Sequence, residues 1–228
     1  MTAVVIGASG GIGAALATAI ADEGTPVIGF ARSFAGEFHI DLEDEATIAA
    51  AAAHIAAGPP PTLVIVATGL LHDGERGPER ALRELDPAWL ARNFAVNAIG
   101  PALVARHVLP LMPRKDRIVF AALSARVGSI ADNRQGGWYG YRASKAALNQ
   151  FVRTIAIEDK RRNDRGIVVA LHPGTVDTAL SKPFQGNVQP GGLFDAGRAA
   201  VQLLDVLDAL KPPQSGRIFA WDGAEVAP

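Results

Sequence analysis

A tyrosine and a lysine four positions apart, Tyr141 and Lys145, are the residues of this sequence whose types and spacing most directly suggest chemistry. On a helix, residues at this spacing project from one face, within contact distance of each other. An ammonium group beside a phenol favours the phenolate and can lower a tyrosine pKa from about 10 by roughly 1 to 3 units. The pair therefore predicts a tyrosine that acts as an acid or base near neutral pH. The same spacing also fits an amphipathic helix with a solvated lysine, so the surrounding elements must decide.

A glycine-rich stretch near the N-terminus connects a predicted strand, 3–6, to a predicted Ala-rich helix, 14–22. Strand, glycine turn and helix, in this order, form the phosphate-binding segment of dinucleotide folds. Glycines allow a close approach of the backbone, and the free N–H groups at the positive end of a helix attract a diphosphate. The alternative is a turn that binds nothing. The residues expected to contact the cofactor here are Gly7, Ser9, Gly11, Ile12 and Gly13.

The second predicted strand, 26–31, ends at Arg32, where a dinucleotide fold presents side chains to the adenosine ribose. An acidic residue at this point favours NAD, whereas an arginine suits the 2′-phosphate of NADP. The sequence therefore predicts a preference for NADP(H) over NAD(H), with a plain surface arginine as the alternative. A short third strand, 37–40, is expected to bring Asp41 and Leu42 close to the adenine.

Strand and helix signals alternate through the rest of the chain, which predicts an α/β fold. We expect a doubly wound parallel sheet, the Rossmann fold, with about seven strands, helices on both faces and ligands at the C-terminal strand edge. The asparagines Asn93 and Asn97 fall in a helix, where a solvated face is the alternative to a role in the site. Further strands are predicted at 62–67, 117–123, 166–171 and 217–221, and helices at 43–57, 87–112, 138–162 and 194–210. The charged segment 72–85 and the Pro/Gly-rich stretch 189–192 are predicted connections.

Composition limits the classes of function. The 228 residues, 49% of them hydrophobic, are expected to form one domain, 1–228, and a net charge of −1 argues against nucleic acid or an anionic membrane as a partner. With no cysteine and five scattered histidines, neither a disulfide nor a metal site is expected. The first residues already have the pattern of a strand, and no apolar run reaches the roughly 18 residues of a membrane span. We therefore expect a soluble, cytoplasmic protein without a secretory signal.

Taken together, these motifs resemble the short-chain dehydrogenase/reductase family, and more narrowly its small C-factor-like branch, over essentially the whole chain. The resemblance depends on Gly7, Gly11 and Gly13, the asparagine in the segment 96–101, the pair Tyr141 and Lys145, and the segment 173–178. It implies an NAD(P)-dependent oxidoreductase that acts on a small carbonyl or alcohol substrate through an Asn, Ser, Tyr and Lys tetrad. It also implies a homodimer or homotetramer, with the helices near 87–112 and 138–162 as candidate interfaces.

The resemblance also implies individual roles. Tyr141 would be the proton donor, and Lys145 would lower its pKa and bind the nicotinamide ribose. Asn97 would hold a water of the proton relay, and Thr178 would contact the carboxamide. The remaining cofactor contacts implied are Gly69, Pro173, Gly174 and Val176. The loop 181–193 is expected to cover the substrate pocket, where Phe184 and Leu193 suggest an apolar wall.

Two departures from the family pattern stand out. The chain reads Val-Ala-Thr-Gly at 66–69, where the family has Asn-Asn-Ala-Gly, so asparagine contacts that brace the sheet must be replaced or absent. Ala125 occupies the usual position of the catalytic serine. Ser124 and Ser129 are the nearest substitutes, and Ser124 is the first choice, unless its hydroxyl bonds a neighbouring strand carbonyl. Ala125 also keeps open a second hypothesis, a signalling or scaffold protein that binds the cofactor but has lost efficient turnover.

Overall fold

A parallel sheet occupies the centre of the computed structural model, which describes residues 1–74, 76–189 and 191–228. Within these residues the sheet has six strands: β1 (Ala3–Ile6), β2 (Val27–Phe30), β3 (Leu63–Val66), β4 (Ile118–Leu123), β5 (Gly166–His172) and β8 (Ile218–Ala220). Their order is β2-β1-β3-β4-β5-β8. Two further strands of two residues, β6 (Thr175–Val176) and β7 (Leu193–Phe194), pair with each other beside the end of β5. The predicted connections 72–85 and 189–192 each include one residue, Glu75 and Pro190, outside the described residues.

Helices cover both faces of this sheet, as predicted. They are α1 (Gly11–Asp22), α2 (Glu45–Ala56), α3 (Pro87–Phe94), α4 (Gly100–Val108), α5 (Tyr139–Arg162) and α6 (Ala196–Ala209). Apolar side chains of α1 and α6 form the core on one face, and those of α2, α4 and α5 form the core on the other. The doubly wound fold is therefore confirmed.

Strand β4 shows why the sheet is so apolar. Its residues alternate between the two cores, so that Ile118 and Phe120 face α4 and α5 while Val119 and Ala121 face α1 and α6. All residues of β1, β3 and β4 are buried. A parallel sheet covered on both faces requires such near-continuous apolar strands.

The predicted helix 87–112 starts as expected but is not continuous. The carboxylate of Asp86 accepts a hydrogen bond from Trp89 N at 2.8 Å, and Pro87 occupies the first turn of α3. A π-helical turn, Ala95–Ile99, then separates α3 from α4, and a 3-10 turn follows α4. Pro101 explains the interruption, because proline has no N–H to continue the i to i−4 ladder and its ring crowds the preceding turn.

The predicted strand 37–40 is wrong. Residues Gly36–Phe38 form a 3-10 turn that begins with Gly36 at a φ of 62°. Only a bridge remains, in which Ala31 N donates to Phe38 O at 3.1 Å and Ile40 N donates to Ala31 O at 3.2 Å. The central sheet therefore has six strands where about seven were expected, although the segment still leads Asp41 and Leu42 to the sheet edge.

The stretch Pro87–Leu111 is long and apolar enough to cross a membrane when only length and composition are considered. The expectation that no segment reaches this length is therefore wrong for this stretch. Core helices of soluble proteins pass the same test, and 44% of its most apolar window is buried in the molecule. Here α3 packs against α5, and α4 packs against α2 and α5.

Candidate active site

Residues far apart in the chain meet at the C-terminal ends of the strands, because parallel strands all end at one edge of the sheet. Two cavities open there. The first, here called the glycine cleft, has a volume of about 430 Å³ and is lined by Gly7, Ser9, Arg32, Asp41, Leu42 and Gly69, among others. The second, here called the tyrosine cavity, has about 220 Å³ and is lined by Tyr141, Ser124, Ala125, His172 and the segment 173–178, apart from Asp177. A smaller space beside Tyr141, Lys145, Gly11 and Gly69 lies between them.

The glycine turn has the geometry that phosphate binding requires. Gly7 has a φ of 90°, which side-chain-bearing residues rarely adopt. A Cβ on Gly13 would overlap the Gly7 carbonyl, and one on Gly11 would lie 2.7 Å from Thr178 Cγ2. Gly10, which precedes helix α1, provides no side-chain cap, so the first N–H groups of the helix remain available to an anion. These residues fit the diphosphate of a dinucleotide.

The far end of the glycine cleft carries the predicted adenosine contacts. Arg32 is exposed two residues beyond the end of β2, while Asp41 is half-buried and its Oδ1 accepts a hydrogen bond from Glu43 N at 3.0 Å. Leu42 is buried against Gly100, where a Cβ would lie 2.6 Å from the leucine Cβ. Arg92 also lines the cleft and pairs with Asp73 at 3.2 Å. Sequence reasoning missed Arg92, because only the fold brings α3 to this cleft.

The structure brings Tyr141 and Lys145 together on the buried face of α5. Their relative exposures are 8% and 2%. The ammonium nitrogen of Lys145 donates a hydrogen bond to Leu123 O at 2.7 Å and lies 5.8 Å from the centroid of the tyrosine ring. The interpretation of Lys145 as a solvated surface residue is therefore wrong.

The predicted effect of the lysine on the tyrosine is also wrong. Burial raises the pKa of Tyr141 to about 12 and lowers the pKa of Lys145 to about 7. Removing a group from water disfavours its charged form, which is the phenolate for tyrosine and the ammonium for lysine. Because Lys145 is only partly charged near pH 7, it offsets little of the cost of a buried phenolate. Tyr141 is therefore a neutral phenol at neutral pH.

Asn97 lies in the π-helical turn and is fully buried. Its Oδ1 accepts a hydrogen bond from Leu70 N at 2.7 Å, and its Nδ2 donates to Leu70 O at 2.8 Å and to Ser144 Oγ at 3.1 Å. Ser144 in turn donates to the Tyr141 carbonyl at 2.9 Å. Asn97 thus braces the segment after β3 against α5, while its role in holding a water stays a prediction. Ser144 was missed, although its spacing of three from Tyr141 places it on the same helix face.

The two candidate serines have other partners. Ser124 borders the tyrosine cavity, but its hydroxyl donates to Asn149 Oδ1 at 2.7 Å, and not to the strand carbonyl considered as the alternative. Ser129 accepts a hydrogen bond from Asp132 N at 3.1 Å and donates to Pro228 O at 3.4 Å, outside the residues that line this cavity. Ala125 does line the cavity and supplies no hydroxyl.

Aromatic rings form one wall of the tyrosine cavity. The ring centroid of Trp138 lies 6.3 Å from that of Tyr141 and 5.2 Å from that of Phe184. Leu71, Val127, Leu180 and Val188 add to this apolar lining. Phe184 is thus part of the wall, as expected, whereas Leu193 lies in β7 with a relative exposure of 38% and does not line the cavity.

Trp138 precedes α5 with a φ of 53°, in the left-handed region that side-chain-bearing residues rarely occupy. Glu79, which is 3% exposed, holds this junction from another part of the chain. Its backbone carbonyl accepts a hydrogen bond from Trp138 N, and its Oε2 accepts one from Gly140 N at 3.0 Å. Glu79 therefore caps the helix that carries Tyr141. Sequence reasoning missed it, because the contact spans about 60 positions and follows no local capping pattern.

The family of the chain is shown by sequence comparison. The family model for short chain dehydrogenases matches residues 1–188, so the chain belongs to the short-chain dehydrogenase/reductase family. It is 39% identical over 146 residues to the protein named C-signal from Myxococcus xanthus, which covers 64% of this chain and 82% of that one. It is 31% identical over 232 residues to 1-hydroxy-2-glutathionyl-2-methyl-3-butene dehydrogenase from Rhodococcus sp. (strain AD45), with 97% of both chains covered. The predicted family, including its C-factor-like branch, is confirmed.

Solved structures agree with this assignment. A short-chain dehydrogenase/reductase from Burkholderia multivorans with bound NADP has a TM-score of 0.83 and 27% identity, covering 99% of this chain and 98% of that one. The NADPH-bound carbonyl reductase from chicken fatty liver has a TM-score of 0.83, with 24% identity and the same coverage, and shows the same fold. The chain is therefore an oxidoreductase of a family that uses a nicotinamide cofactor.

Proposed function

We propose that this protein is a single-domain, NADP(H)-dependent reductase of aldehydes or ketones, with Tyr141 as the acid. The observation that carries the proposal is the buried pair of Tyr141 and Lys145, which lies between a glycine cleft suited to a dinucleotide and an apolar cavity suited to a substrate. Burial shifts the pKa of both groups strongly, and perturbed pKa values beside a cavity are typical of functional sites.

Tyr141 and Lys145 have different roles in the proposed reduction. The glycine cleft would hold the diphosphate and adenosine of the cofactor and Lys145 and Thr178 its nicotinamide end, which would supply the hydride for the carbonyl carbon of the substrate. Tyr141 donates its phenol proton to the carbonyl oxygen, so that the C=O group gains one C–H and one O–H bond and becomes an alcohol. The raised pKa of Tyr141 keeps this proton in place until negative charge develops on the oxygen. Lys145, with a pKa of about 7, then returns a proton to the phenolate.

Arg32 supports the choice of NADP(H). It is an exposed cation at the end of β2, and it lines the cleft where the adenosine ribose of a dinucleotide fold lies. A guanidinium pairs with a phosphate through two parallel hydrogen bonds, whereas a free 2′-hydroxyl offers it no charge. The cofactors in the Burkholderia and chicken structures, NADP and NADPH, agree with this choice.

The proposal also covers the oligomeric state of the protein and its location in the cell. We expect a homodimer or homotetramer in the cytoplasm, formed through the outer faces of α4 and α5. Phe151 and Ile157, on α5, are exposed by 39% and 50%, which supports an apolar contact there. Light scattering after size-exclusion chromatography measures the stoichiometry, and a monomer would contradict this part of the proposal.

A second candidate is a signalling protein that binds the cofactor but turns over slowly. Two observations favour it: the similarity to the protein named C-signal and the alanine at position 125. The two functions differ in one measurement, the oxidation of NADPH followed by absorbance with a panel of aldehydes and ketones. Carbonyl-dependent oxidation supports the reductase. NADPH binding without any carbonyl-dependent oxidation would overturn the reductase and favour the second candidate.

A further inference from the structure

His172, the last residue of β5, has no part in the reaction described above, yet it lines the tyrosine cavity together with Tyr141 and Ala125. Strands β4 and β5 run in parallel up to the pair Leu123 and Leu171. Beyond that pair, Ser124 N donates to Leu171 O at 2.7 Å. His172 therefore stands beside the end of β4, next to the position where the family's serine is missing.

One nitrogen of the His172 imidazole makes no hydrogen bond to the described residues. Its Nδ1 is shielded from solvent and has no hydrogen-bond partner among the described residues. Leaving a buried polar atom unpaired costs about 1 to 3 kcal/mol, so such an atom in a folded protein calls for an explanation.

The protonation state of the ring follows from its surroundings. Burial lowers the pKa of His172 to about 4, with Arg126 adding to the shift and Asp222 opposing it. The ring is therefore neutral at pH 7 and carries one N–H. A shielded Nδ1–H would lack an acceptor, so the proton belongs on Nε2, which is not among the buried side-chain atoms without a partner. His172 is thus a neutral donor in the wall of the cavity.

The proposed reduction needs such a donor. Negative charge develops on the carbonyl oxygen as hydride arrives, and a preorganised donor aimed at that oxygen is typically worth about 10² to 10³ in rate. Tyr141 supplies one contact. Ala125 supplies none, and the hydroxyl of Ser124 is engaged with Asn149 at 2.7 Å.

We propose that His172 is a second catalytic residue, whose Nε2–H donates a hydrogen bond to the substrate carbonyl oxygen and replaces the hydroxyl absent at Ala125. This inference rests on the proposed reductase function and deepens it. A neutral donor in a cavity that Trp138 and Phe184 also line suits an uncharged aldehyde or ketone with an aromatic or other apolar substituent. Thr175 carries a hydroxyl in the same lining and is the competing donor.

The test measures kcat and KM for reduction of 4-nitrobenzaldehyde by NADPH, with NADPH affinity as the check on folding. His172→Phe keeps a ring of similar size and removes the N–H, so we expect kcat to fall about 10² to 10³-fold with NADPH affinity unchanged. Ala125→Ser in the His172→Phe background restores the missing donor, and we expect it to recover most of the lost kcat. Thr175→Val removes the competing hydroxyl, and we expect it to lose far less kcat than His172→Phe.

Several results would overturn the inference. They are a His172→Phe variant within about threefold of wild-type kcat, no recovery by Ala125→Ser, or a hundredfold loss in Thr175→Val. If His172→Phe loses NADPH binding, the comparison of His172→Gln with His172→Ala replaces it. The glutamine amide can also donate a hydrogen bond, so His172→Gln should keep far more kcat than His172→Ala. An equal loss of kcat in both variants counts against the proposal. Wild-type protein that binds NADPH but reduces no carbonyl would instead remove the proposed function, and this inference with it.

Discussion

Tyr141 and Lys145 show how burial changes the chemistry that sequence spacing alone predicts. Spacing indicated a lysine that ionises the tyrosine, whereas burial keeps the phenol neutral and makes the lysine easy to deprotonate. For a carbonyl reductase this is a workable arrangement, because the proton must stay on the acid until the substrate oxygen becomes basic. The sequence could place the two groups together but could not reveal how much water surrounds them.

Replacing Tyr141 by phenylalanine should abolish reduction. A positioned general acid contributes about 10² to 10⁴ in rate, so we expect a loss of that order with NADPH affinity almost unchanged. Initial rates of NADPH oxidation and a fluorescence titration with NADPH measure the two quantities. Tyr139→Phe is the matched control, because Tyr139 is the other tyrosine of the chain and is exposed. Substantial activity in Tyr141→Phe would remove Tyr141 from the mechanism.

Lys145 makes stability depend on pH. Its pKa is about 7 in the folded protein and 10.5 ordinarily, so between these values the unfolded chain binds more protons and stability rises with pH. The contribution of the buried lysine is thus most unfavourable below pH 7 and improves toward pH 10. Urea unfolding of wild type and Lys145→Met at pH 6.5, 8 and 9.5 should show wild type gaining on the variant, by on the order of a few kcal/mol over this range. Parallel stability curves would show that the lysine is not desolvated.

Arg32→Asp should shift cofactor preference from NADPH toward NADH, because it removes a charge-assisted contact and adds a repulsive one. Such contacts are worth about 1.5 to 3 kcal/mol, or roughly 10- to 100-fold in affinity. Dissociation constants for both cofactors measure the effect. Arg114→Asp makes the same charge change at an exposed position outside the glycine cleft and should leave the preference unchanged. Equal affinity of the wild type for the two cofactors would contradict the role of Arg32.

At the scale of elements, helix α5 depends on local sequence properties and also on a contact from a distant part of the chain. Its length and apolar stripe are local properties, which is why its bounds agree with the predicted 138–162. The contact that caps its start is not local. Trp138 provides no side-chain cap, and the buried carboxylate of Glu79 accepts a hydrogen bond from Gly140 N instead. A negative group at this end also complements the helix dipole.

Glu79→Ala should therefore destabilise the start of α5 and displace Tyr141, which follows Gly140 directly. We expect a loss of about 1 to 3 kcal/mol in the free energy of unfolding, because the amide of Gly140 would be left without a partner. Urea denaturation measures stability, and NADPH oxidation should show a fall in kcat. Glu79→Gln keeps an oxygen acceptor and should retain most of both. If the alanine and glutamine variants behave alike, the cap does not hold the helix.

The elements that sequence reasoning misjudged share a cause. The strand predicted at 37–40 gave way to a turn that starts at Gly36, and the helix predicted at 87–112 contains a π-helical turn beside Pro101. In both cases apolar periodicity was present, and a single residue with unusual backbone requirements changed the local path. That π-helical turn carries Asn97 into the site, in keeping with the frequent use of such turns at functional positions.

At the scale of the whole molecule, the sequence predicted the fold class and family because alternating strands and helices, glycine spacing and the Tyr141–Lys145 pair are all local patterns. It could not predict contacts made only when distant segments meet. Arg92 reaches the glycine cleft from α3, Glu79 reaches α5 across about 60 positions, and His172 comes to Ala125 through strand pairing. None of these residues lies in a motif that would distinguish it from its neighbours in the chain.

The all-parallel pairing of the central sheet also has a consequence for how the chain folds. Each neighbouring pair of strands encloses a helical connection, and β1 lies between β2 and β3, whose segments begin at Val27 and Leu63. Among the described residues, every pair of neighbouring strands in the central sheet is parallel, so a long loop must close before two of these strands can meet, and such topologies fold slowly. The tyrosine cavity can close only after β5 and the segment beyond it have joined the sheet, because both supply its walls. A nascent chain that has made β1 to β4 would contain the glycine turn but none of the cavity walls that β5 contributes.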